Sequence, residues 1–391
     1  MTKFNQSEGV TSEYEIEEDD HHHTHRPLFR IKYRSNSIVS TNFSDTGSIS
    51  EGLPTIKVLG TGGTIASKGA TAHQTAGYEV DLTIEDLIST IPDLSTTCNL
   101  EYEQVLNVDS KEMGTPELLL LHSKIIEDLS KYDGFVITHG TDTMEETAFF
   151  LQLTVNTNKP IVLCGSMRPS TAISSDGPMN LYQAIVIAAN RSSRARGVLV
   201  ALNDRIGSGF HITKSNANSL DTFKSSNNGD LGHFVNNEIH YYFPPAKPLG
   251  ITYFHLTAGS TLPEVPIIYA HQQLNNRLIQ LAIDELEAEG LVFATMGAGS
   301  LSAKTNDFTG RLAHSRGIPI VYSKRSQDGM VPKASLPVQF EAEDGTKSPF
   351  LNNIAGGYLN PQKSRILLQL CLRDRMNIPQ IKDCFKGVYG G

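Results

Sequence analysis

From residue 54 onward, short apolar runs of strand length alternate with longer segments in which apolar residues recur at helical spacing. Such alternation is typical of βαβ units arranged around a mainly parallel sheet. In the first part of this region, the predicted strands cover residues 55–59, 135–138, 161–164 and 198–201. The predicted helices cover residues 83–91, 115–131, 144–155 and 178–189. The pattern predicts a larger N-terminal α/β domain over residues 54–245, with a doubly wound, mainly parallel sheet.

Two of these helices carry start signals in the sequence. Thr83 is followed three residues later by Asp86, which is the spacing of a capping box. Thr115, Pro116 and Glu117 supply a capping hydroxyl, a proline suited to the first turn and an acid that favours the helix N-terminus. We therefore expect one helix to begin after Thr83 and another at Thr115.

The apolar pattern resumes after a proline-rich stretch at residues 243–248. Clustered prolines deny the chain both helix and central strand, so we assign a linker to residues 246–265. Beyond it, the pattern predicts strands at residues 267–269, 291–294 and 318–322 and helices at 273–288 and 361–373. In the last helix the apolar face consists of Ile366, Leu367, Leu370 and Cys371. These elements predict a smaller C-terminal α/β domain over residues 266–391.

The N-terminal segment, residues 1–53, lacks this pattern. It is rich in Ser, Thr, Asn, Glu and Asp, and an acidic run at residues 13–20 precedes a histidine-rich run at 21–25. Such a segment cannot bury enough apolar surface to offset the entropy of ordering it. We interpret it as a disordered tail. Its histidines have the composition of a transition-metal binder, but a solvated tail is the favoured interpretation.

Composition and charge narrow the class of partner. The 391-residue chain is 39% hydrophobic, and it has no apolar run near the ~18 residues that a membrane span requires. Its net charge of −9 argues against binding to nucleic acids or anionic membranes, which leaves small molecules. Four separated cysteines indicate neither a zinc site nor a disulfide framework. The polar N-terminus lacks the apolar core of a signal peptide, which favours a cytoplasmic location.

A glycine-rich turn follows the first predicted strand. Gly60, Gly62 and Gly63 let the backbone turn sharply, and Thr64 stands directly after them. Ligands collect at the carboxyl ends of strands in open α/β sheets, so we interpret this stretch as an active-site turn. A dinucleotide loop is disfavoured because Ile65 stands where a third small residue is needed, and no phosphate-loop pattern is present. A tight turn with an incidental threonine stays open.

A second strand runs through glycine into a helix in the same way, at residues 137–147. Here Thr141 is followed by Asp142, a pair that suggests either nucleophile activation or a helix N-cap. His139 precedes the turn, but a histidine in this position is more often structural than a general base. A threonine nucleophile needs a base or a charged relay. Lys214 would serve only if it were buried or beside Asp142, and from composition alone it would be assigned to the surface.

The two turn sequences, at residues 60–66 and 137–143, resemble the two signature motifs of the bacterial-type L-asparaginase/glutaminase family. The resemblance extends over residues 54–391. Its further segments are residues 165–170, 176–181, 197–200 and 359–365. Residues 323–326, 328–332 and 387–391 are most similar to the cytosolic members of the family in yeasts.

The resemblance implies an amidohydrolase that needs no cofactor and cleaves the side-chain amide of L-asparagine through a threonine acyl-enzyme, releasing ammonia. It implies that Thr64 is the nucleophile and that Tyr78, on a mobile flap, helps to activate it. It also implies that Thr141, Asp142 and Lys214 form the second catalytic group.

The resemblance further implies that Ser110 and Asp142 hold the α-carboxylate and α-ammonium of the substrate. The complete set of implied substrate-binding residues is Gly63, Ser110, Lys111, Gly140, Thr141, Asp142 and Ser166. Lys111 departs from the family, which usually has Gln or Glu there, although a small shift in register would let Glu112 compensate. Ser335 stands where many members supply an acid from the neighbouring subunit, and Ser300 replaces a frequent Asn. We therefore expect looser α-amino recognition, with D-asparagine also accepted.

The family builds its site across a close dimer, so the expected partners are copies of this chain, in a homodimer or preferably a homotetramer. A glutaminase-preferring enzyme is the nearest alternative. A tRNA-dependent amidotransferase subunit is disfavoured by the acidic charge and the lack of an added basic domain. A catalytically inactive amino-acid sensor is disfavoured because all five implied catalytic residues are present.

Overall fold

The structure is a computed structural model that describes residues 52–75, 77–225, 228–257 and 259–386. The predicted tail, with its histidines, lies outside the described residues from residue 1 to residue 51. The strands are β1 (Thr55–Gly62), β2 (Ser67–Lys68), β3 (Glu79–Val80), β4 (Asn99–Val108), β5 (Gly134–Thr138), β6 (Ile161–Cys164), β7 (Val198–Leu202), β8 (Arg205–Ser208), β9 (Thr213–Lys214), β10 (Phe223–Lys224), β11 (Gly232–Val235), β12 (Glu238–Tyr241), β13 (Ile267–Tyr269), β14 (Leu291–Thr295), β15 (Ile320–Lys324), β16 (Gln339–Glu341), β17 (Lys347–Pro349) and β18 (Asn353–Ala355). The helices are α1 (Ile84–Ile88), α2 (Thr115–Asp128), α3 (Met144–Thr154), α4 (Gly177–Ala189), α5 (Arg277–Asp284), α6 (Ala303–Arg316), α7 (Pro361–Arg373) and α8 (Ile378–Lys386).

The larger sheet has the strand order β12-β11-β8-β7-β6-β5-β1-β4 among the described residues. The five strands from β7 to β4 in this order are parallel, and β8, β11 and β12 extend the sheet with antiparallel pairing. The chain passes from β1 to β4 on one side and then returns to β5 on the other side. This reversal is a topological switch point, where a crevice opens at the carboxyl ends of β1 and β5.

The smaller sheet has the order β13-β14-β15-β18, and all of its strands are parallel. Helix α7 packs on β14 and β15 and also contacts α3, which follows β5 of the larger sheet. The predicted apolar face of α7 is buried as expected. The molecule is therefore a larger N-terminal doubly wound α/β part with a smaller C-terminal α/β part, which is the predicted fold class.

Several predicted boundaries change. Helix α5 is shorter than the predicted 273–288, and β15 lies two residues later than the predicted 318–322. Helix α2 begins at Thr115, but its N-cap is Gly114, whose backbone N–H donates to the Glu117 carboxylate. The prediction that the Thr115 hydroxyl caps α2 is therefore wrong. Thr83 does cap α1, with both hydrogen bonds of the capping box to Asp86.

The described residues also bear on the membrane and cysteine predictions. None of their helices is long and apolar enough to cross a membrane. All four cysteines are free thiols, and Cys98, Cys164 and Cys371 are buried. Cys384 is half-buried, and its Sγ lies 3.6 Å from Thr252 Oγ1 and 3.7 Å from the Met376 sulfur.

Candidate active site

The turns after β1 and β5 touch each other backbone to backbone. Gly63 has a φ of +83°, in the left-handed region that favours glycine. A Cβ at this position would lie 2.3 Å from the Gly140 nitrogen, so no other residue fits without moving the neighbouring turn. Thr64 and Thr141 each follow one of these two glycines. The fold thus brings the two signature threonines to one place, as expected from the sequence.

Thr64 has one side-chain partner, the hydroxyl of Tyr78. The Thr64 Oγ1 atom and the Tyr78 phenolic oxygen are 2.9 Å apart, and either one can donate. Tyr78 is half-buried and lies directly before β3, which pairs with β2 in a small antiparallel hairpin. This hairpin begins three residues after Thr64, so the nucleophile candidate and its partner belong to one short local unit.

Lys214 joins the second pair of candidates. Its Nζ donates to Thr141 Oγ1 at 2.9 Å and lies 2.5 Å from Asp142 Oδ1. The Lys214 side chain is 16% exposed, whereas the Asp142 side chain is 61% exposed. Lys214 is therefore not the solvated surface lysine that composition suggested, and one carboxylate oxygen of Asp142 remains open to a ligand.

The N-cap alternative for Asp142 is wrong. Helix α3 has Thr143 at its N-cap, and no side chain makes a capping hydrogen bond there. The Thr143 hydroxyl instead donates to the backbone carbonyl of Ser110 at 2.8 Å. The sequence reasoning missed this contact. It ties the Thr141–Asp142 turn to the segment after β4.

His139 has a structural position and does not face the cleft. It is fully buried, its Nδ1 lies 2.7 Å from the Gly140 carbonyl, and its Nε2 lies 2.9 Å from Thr147 Oγ1. A neutral ring that donates from Nδ1 and accepts at Nε2 satisfies both contacts. Burial lowers the pKa of His139 to about 4, which keeps the ring neutral near pH 7. Both nitrogens are occupied, so His139 holds the Gly140 turn in place.

Ser110 brings a buried hydroxyl to the same junction. The residue is 2% exposed, and its Oγ has no hydrogen-bond partner among the described residues. A Cβ added to Gly140 would lie 2.5 Å from this oxygen, so the hydroxyl faces the Gly140 turn, directly before Thr141. Buried hydroxyls are normally paired, and a ligand at this junction would supply the partner.

Lys111 is exposed and paired. Its Nζ lies 3.1 Å from Asp109 Oδ2, and its side chain is 65% exposed. The hydrogen bond that Lys111 donates to Asp109, with a smaller contribution from the Asp142 charge, raises the pKa of Lys111. The positive charge that the sequence placed near the substrate amino group is thus partly neutralised by Asp109.

The structure gives Ser166 and Ser335 local contacts instead of contacts with the two threonines. Ser166 is fully buried, and its hydroxyl donates to the Arg168 carbonyl at 2.7 Å within the turn after β6. Ser335 donates to the Pro332 carbonyl at 2.8 Å. Ser300 is exposed. No observed contact joins Ser166 to the site, so its assignment to substrate binding rests on the motif alone.

Similarity to known proteins agrees with this geometry. Residues 55–247 match the family model described as asparaginase, N-terminal, and residues 264–385 match the glutaminase/asparaginase C-terminal domain. The chain is 49% identical over 370 residues to L-asparaginase 2-3 of Saccharomyces cerevisiae, which covers 93% of this chain and 95% of that protein. It is 42% identical over 334 residues to L-asparaginase 2 of Escherichia coli, with coverage of 85% and 93%.

Among solved structures, a probable cytoplasmic L-asparaginase from Campylobacter jejuni aligns with a TM-score of 0.78 at 36% identity. The alignment covers 85% of this chain and 99% of that one. Two family domains in order, close relatives over nearly the whole chain and a shared fold lead to one conclusion: this chain belongs to the asparaginase family.

Proposed function

We propose that this chain is an L-asparaginase, which hydrolyses the side-chain amide of L-asparagine to L-aspartate and ammonia through an acyl-enzyme on Thr64. The observation that carries the proposal is the pairing of two threonine hydroxyls with different partners at one switch point. Thr64 has Tyr78, and Thr141 has Lys214 with Asp142. The similarity to L-asparaginases of yeast and E. coli supports the same activity.

In the first step Thr64 attacks the side-chain carbonyl carbon of asparagine. A threonine hydroxyl is a weak nucleophile, so its proton must leave as the new bond forms. The Tyr78 oxygen, 2.9 Å away, is the group in reach to take that proton. Tyr78 passes its own phenolic proton on as it takes the proton of Thr64, and the amide nitrogen receives the proton that Tyr78 releases. The C–N bond breaks, ammonia departs and the aspartyl group is left esterified to Thr64.

In the second step a water molecule adds to the ester carbon. Lys214 polarises the Thr141 hydroxyl across a 2.9 Å bond, and Asp142 balances the ammonium charge. Thr141 takes the water's proton as it passes its own proton to the Thr64 oxygen, so the relay needs no histidine. The ester bond breaks, Thr64 regains its hydroxyl and aspartate leaves.

Substrate orientation falls to the groups around the two threonines. The unpartnered hydroxyl of Ser110 is suited to the α-carboxylate, and the open oxygen of Asp142 is suited to the α-ammonium. Gly63 and Gly140 allow the backbone to approach the ligand closely. Lys111 borders this site beside Asp109.

The oligomeric state, the cellular location and the domain division are also inferred. We infer a homotetramer in preference to a homodimer, and a cytoplasmic location, the latter supported by the relative from Campylobacter jejuni that is described as cytoplasmic. A domain division at residues 245–266 is likewise an inference from the sequence pattern. A glutaminase-preferring enzyme is the alternative, because one methylene is worth only ~1–3 kcal/mol of discrimination.

Ammonia release from asparagine and glutamine, measured for the wild type, Thr64→Ala and Thr64→Ser, tests the proposal. We expect kcat/KM to be higher for asparagine than for glutamine. Thr64→Ala should lose turnover by about 10³-fold or more while keeping its melting temperature, and Thr64→Ser should retain part of it. Thr71→Ala, in the exposed segment before Tyr78, is the matched control. Full activity of Thr64→Ala, or binding of asparagine without ammonia release, would contradict the proposal.

A further inference from the structure

The motif at residues 359–365 has no role in the site described above, yet it starts α7 next to the catalytic segments. Helix α7 belongs to the smaller C-terminal part, and Asn360 is its N-cap, with the Asn360 side-chain oxygen accepting the Lys363 N–H at 3.0 Å. From its first turn, three side chains reach the larger part: Asn360, Gln362 and Lys363.

Lys363 donates hydrogen bonds to the backbone just before Lys214. Its Nζ donates to the Phe210 carbonyl at 3.0 Å and to the Ile212 carbonyl at 2.5 Å. The residue is 3% exposed, and its Nζ also lies 5.6 Å from the centre of the Phe149 ring. A buried ammonium is costly unless hydrogen bonds satisfy it, so these two carbonyls are its required partners.

Asn360 and Gln362 extend the contact to both sides of the Lys214–Asp142 pair. Asn360 Nδ2 lies 3.3 Å from Thr213 Oγ1 and 3.5 Å from Glu145 Oε2. Gln362 Nε2 donates to Glu145 Oε1 at 2.6 Å. Thr213 precedes Lys214, and Glu145 follows Asp142 by three residues in the first turn of α3. The first turn of α7 therefore contacts Thr213, next to Lys214, and Glu145, in the helix that follows Asp142.

Strand β9, which carries Lys214, is two residues long and pairs among the described residues with one strand, β10, of equal length. Ser215 and Asn216 after it donate hydrogen bonds to Thr222, and Lys363 holds the residues before it. The Lys214 ammonium must nevertheless reach Thr141 and Asp142 at once, at 2.9 and 2.5 Å. A backbone displacement of about 1 Å breaks such geometry and can lower turnover by about 100-fold.

We propose that Lys363, assisted by Asn360, is a positioning residue that holds the β9 backbone so that Lys214 meets Thr141 and Asp142. The smaller domain thereby sets the geometry of a site at the carboxyl ends of strands of the larger sheet. The catalytic consequence rests on the proposed function, because it assigns the second step to Lys214. Lys363 touches neither threonine among the observed contacts and acts through the carbonyls of Phe210 and Ile212.

The first test compares Lys363→Met with Leu291→Ala in the full-length protein. Leu291 is fully buried in a separate core cluster under the smaller sheet, so its truncation destabilises the domain without touching β9. We expect Lys363→Met to lose about 100-fold in kcat with a parallel fall in KM, because kcat/KM reports the first step, whereas Leu291→Ala keeps its kcat despite a similar fall in melting temperature. Equal kcat values in the two variants would overturn the proposal.

Hydrogen exchange over residues 208–216 provides a readout that does not depend on turnover. Lys363→Met should exchange faster in this segment than the wild type, and Leu291→Ala should match the wild type there. If the wild type releases no ammonia from asparagine, the proposed function fails while this exchange result still decides the positioning role. If the wild type is active and the exchange is unchanged, the positioning role alone fails.

A milder pair of substitutions covers the case in which Lys363→Met does not fold. Asn360→Ser keeps a capping oxygen but removes the amide that reaches Thr213, and Thr213→Val removes the other end of the contact. We expect each to lower kcat by about threefold to tenfold, with the double variant no worse than either single one. Gln362→Met, which loses only the Glu145 contact, should keep kcat. Additive losses, or an equal loss in Gln362→Met, would refute the role of Asn360.

Discussion

The two halves of the site are built differently. In the Thr64–Tyr78 half, one hydrogen bond joins the two side chains, Ser170 and Thr171 hold residues 67–69, and residues 70–73 are exposed. The Thr141–Lys214 half is more enclosed: His139 braces its turn, Thr143 ties it to Ser110, and the first turn of α7 holds the Lys214 strand. The first half therefore includes an exposed segment, whereas the second is held through buried residues.

This difference matches the two chemical tasks that we propose. The first half must admit asparagine and release ammonia, and segments that open and close around ligands have few buried contacts. The second half must keep an ammonium and a carboxylate fixed around one hydroxyl, which requires rigid placement. Substitutions in the two halves should therefore differ in size and kind.

The largest expected effect is in the enclosed half. Lys214→Met should lower kcat for asparagine by about 10³-fold and lower KM with it, because it removes the donor to Thr141, leaves Asp142 unpaired and makes the second step rate-limiting. Steady-state ammonia release measures it. Lys224→Met, in the partner strand and paired with half-buried Asp221, is the control and should keep its kcat. A loss below tenfold in Lys214→Met would remove the contrast between the halves.

A smaller loss is expected in the open half. Tyr78→Phe should lower kcat by about 10²-fold, because it deletes the oxygen that takes the Thr64 proton while the ring keeps its packing. Tyr182→Phe, whose exposed hydroxyl bond to Asn237 lies away from the site, controls for loss of a tyrosine hydroxyl. Pre-steady-state measurement should find the acylation step slowed in Tyr78→Phe. If release of the second product is slowed instead, Tyr78 does not serve the first step.

Substitution of Lys111, which lies between the two halves, should change substrate specificity more than kcat. We expect measurable hydrolysis of D-asparagine, and Lys111→Gln should lower KM for L-asparagine by about twofold to fivefold by removing a positive charge near the substrate ammonium. Lys124→Gln, at a distant half-buried pair with Glu103, should leave KM unchanged. Strict selectivity for the L-isomer would contradict looser α-amino recognition.

The smallest effect concerns the pH dependence of stability. Burial lowers the pKa values of His139 and His211 to about 4, so the unfolded chain binds their protons first as the pH falls below 6.5. Each should lower the free energy of unfolding by about 1.4 kcal/mol per pH unit between pH 6.5 and 4. Glu146 opposes them, because burial and the nearby Glu145 raise its pKa to about 7 and its stabilising contribution is lost as the pH rises through that value.

Urea unfolding of His139→Gln between pH 4.5 and 6.5 tests this assignment to the enclosed half. Its slope with pH should be smaller than that of the wild type by about 1.4 kcal/mol per unit. Equal slopes in the two proteins would show that His139 is not held neutral by burial.

The sequence predicted the central strands well and the peripheral elements poorly. Strands β1, β5, β6 and β7 are buried on both faces, so they read as continuous apolar runs. The edge strand β4 was missed because its residues alternate between exposed and half-buried positions with many polar side chains. Helix α6 was missed because its buried face consists of small residues, Thr305, Thr309, Gly310 and Ala313, which give no apolar stripe.

The residues of the site also differ in how far the sequence could predict them. The glycine turns and their threonines were predictable because strand, glycine and polar residue follow one another locally. The position of Lys214 beside Asp142 was not, because a contact across 72 residues depends on where β9 folds. Ser166 matched a motif, yet its hydroxyl is used within its own turn. Motif resemblance identified the residues near the site, and only packing separated those that face it from those that support it.

The central claim is that Thr64 carries the acyl group and that the Thr141–Lys214 half removes it. The most direct measurement mixes Lys214→Met with L-asparagine, quenches it in acid and locates the bound aspartyl group by peptide mass spectrometry. The account predicts an ester that accumulates on Thr64 in Lys214→Met, with Thr64→Ala as the blank. An ester on Thr141, or no ester together with continued ammonia release, would contradict it.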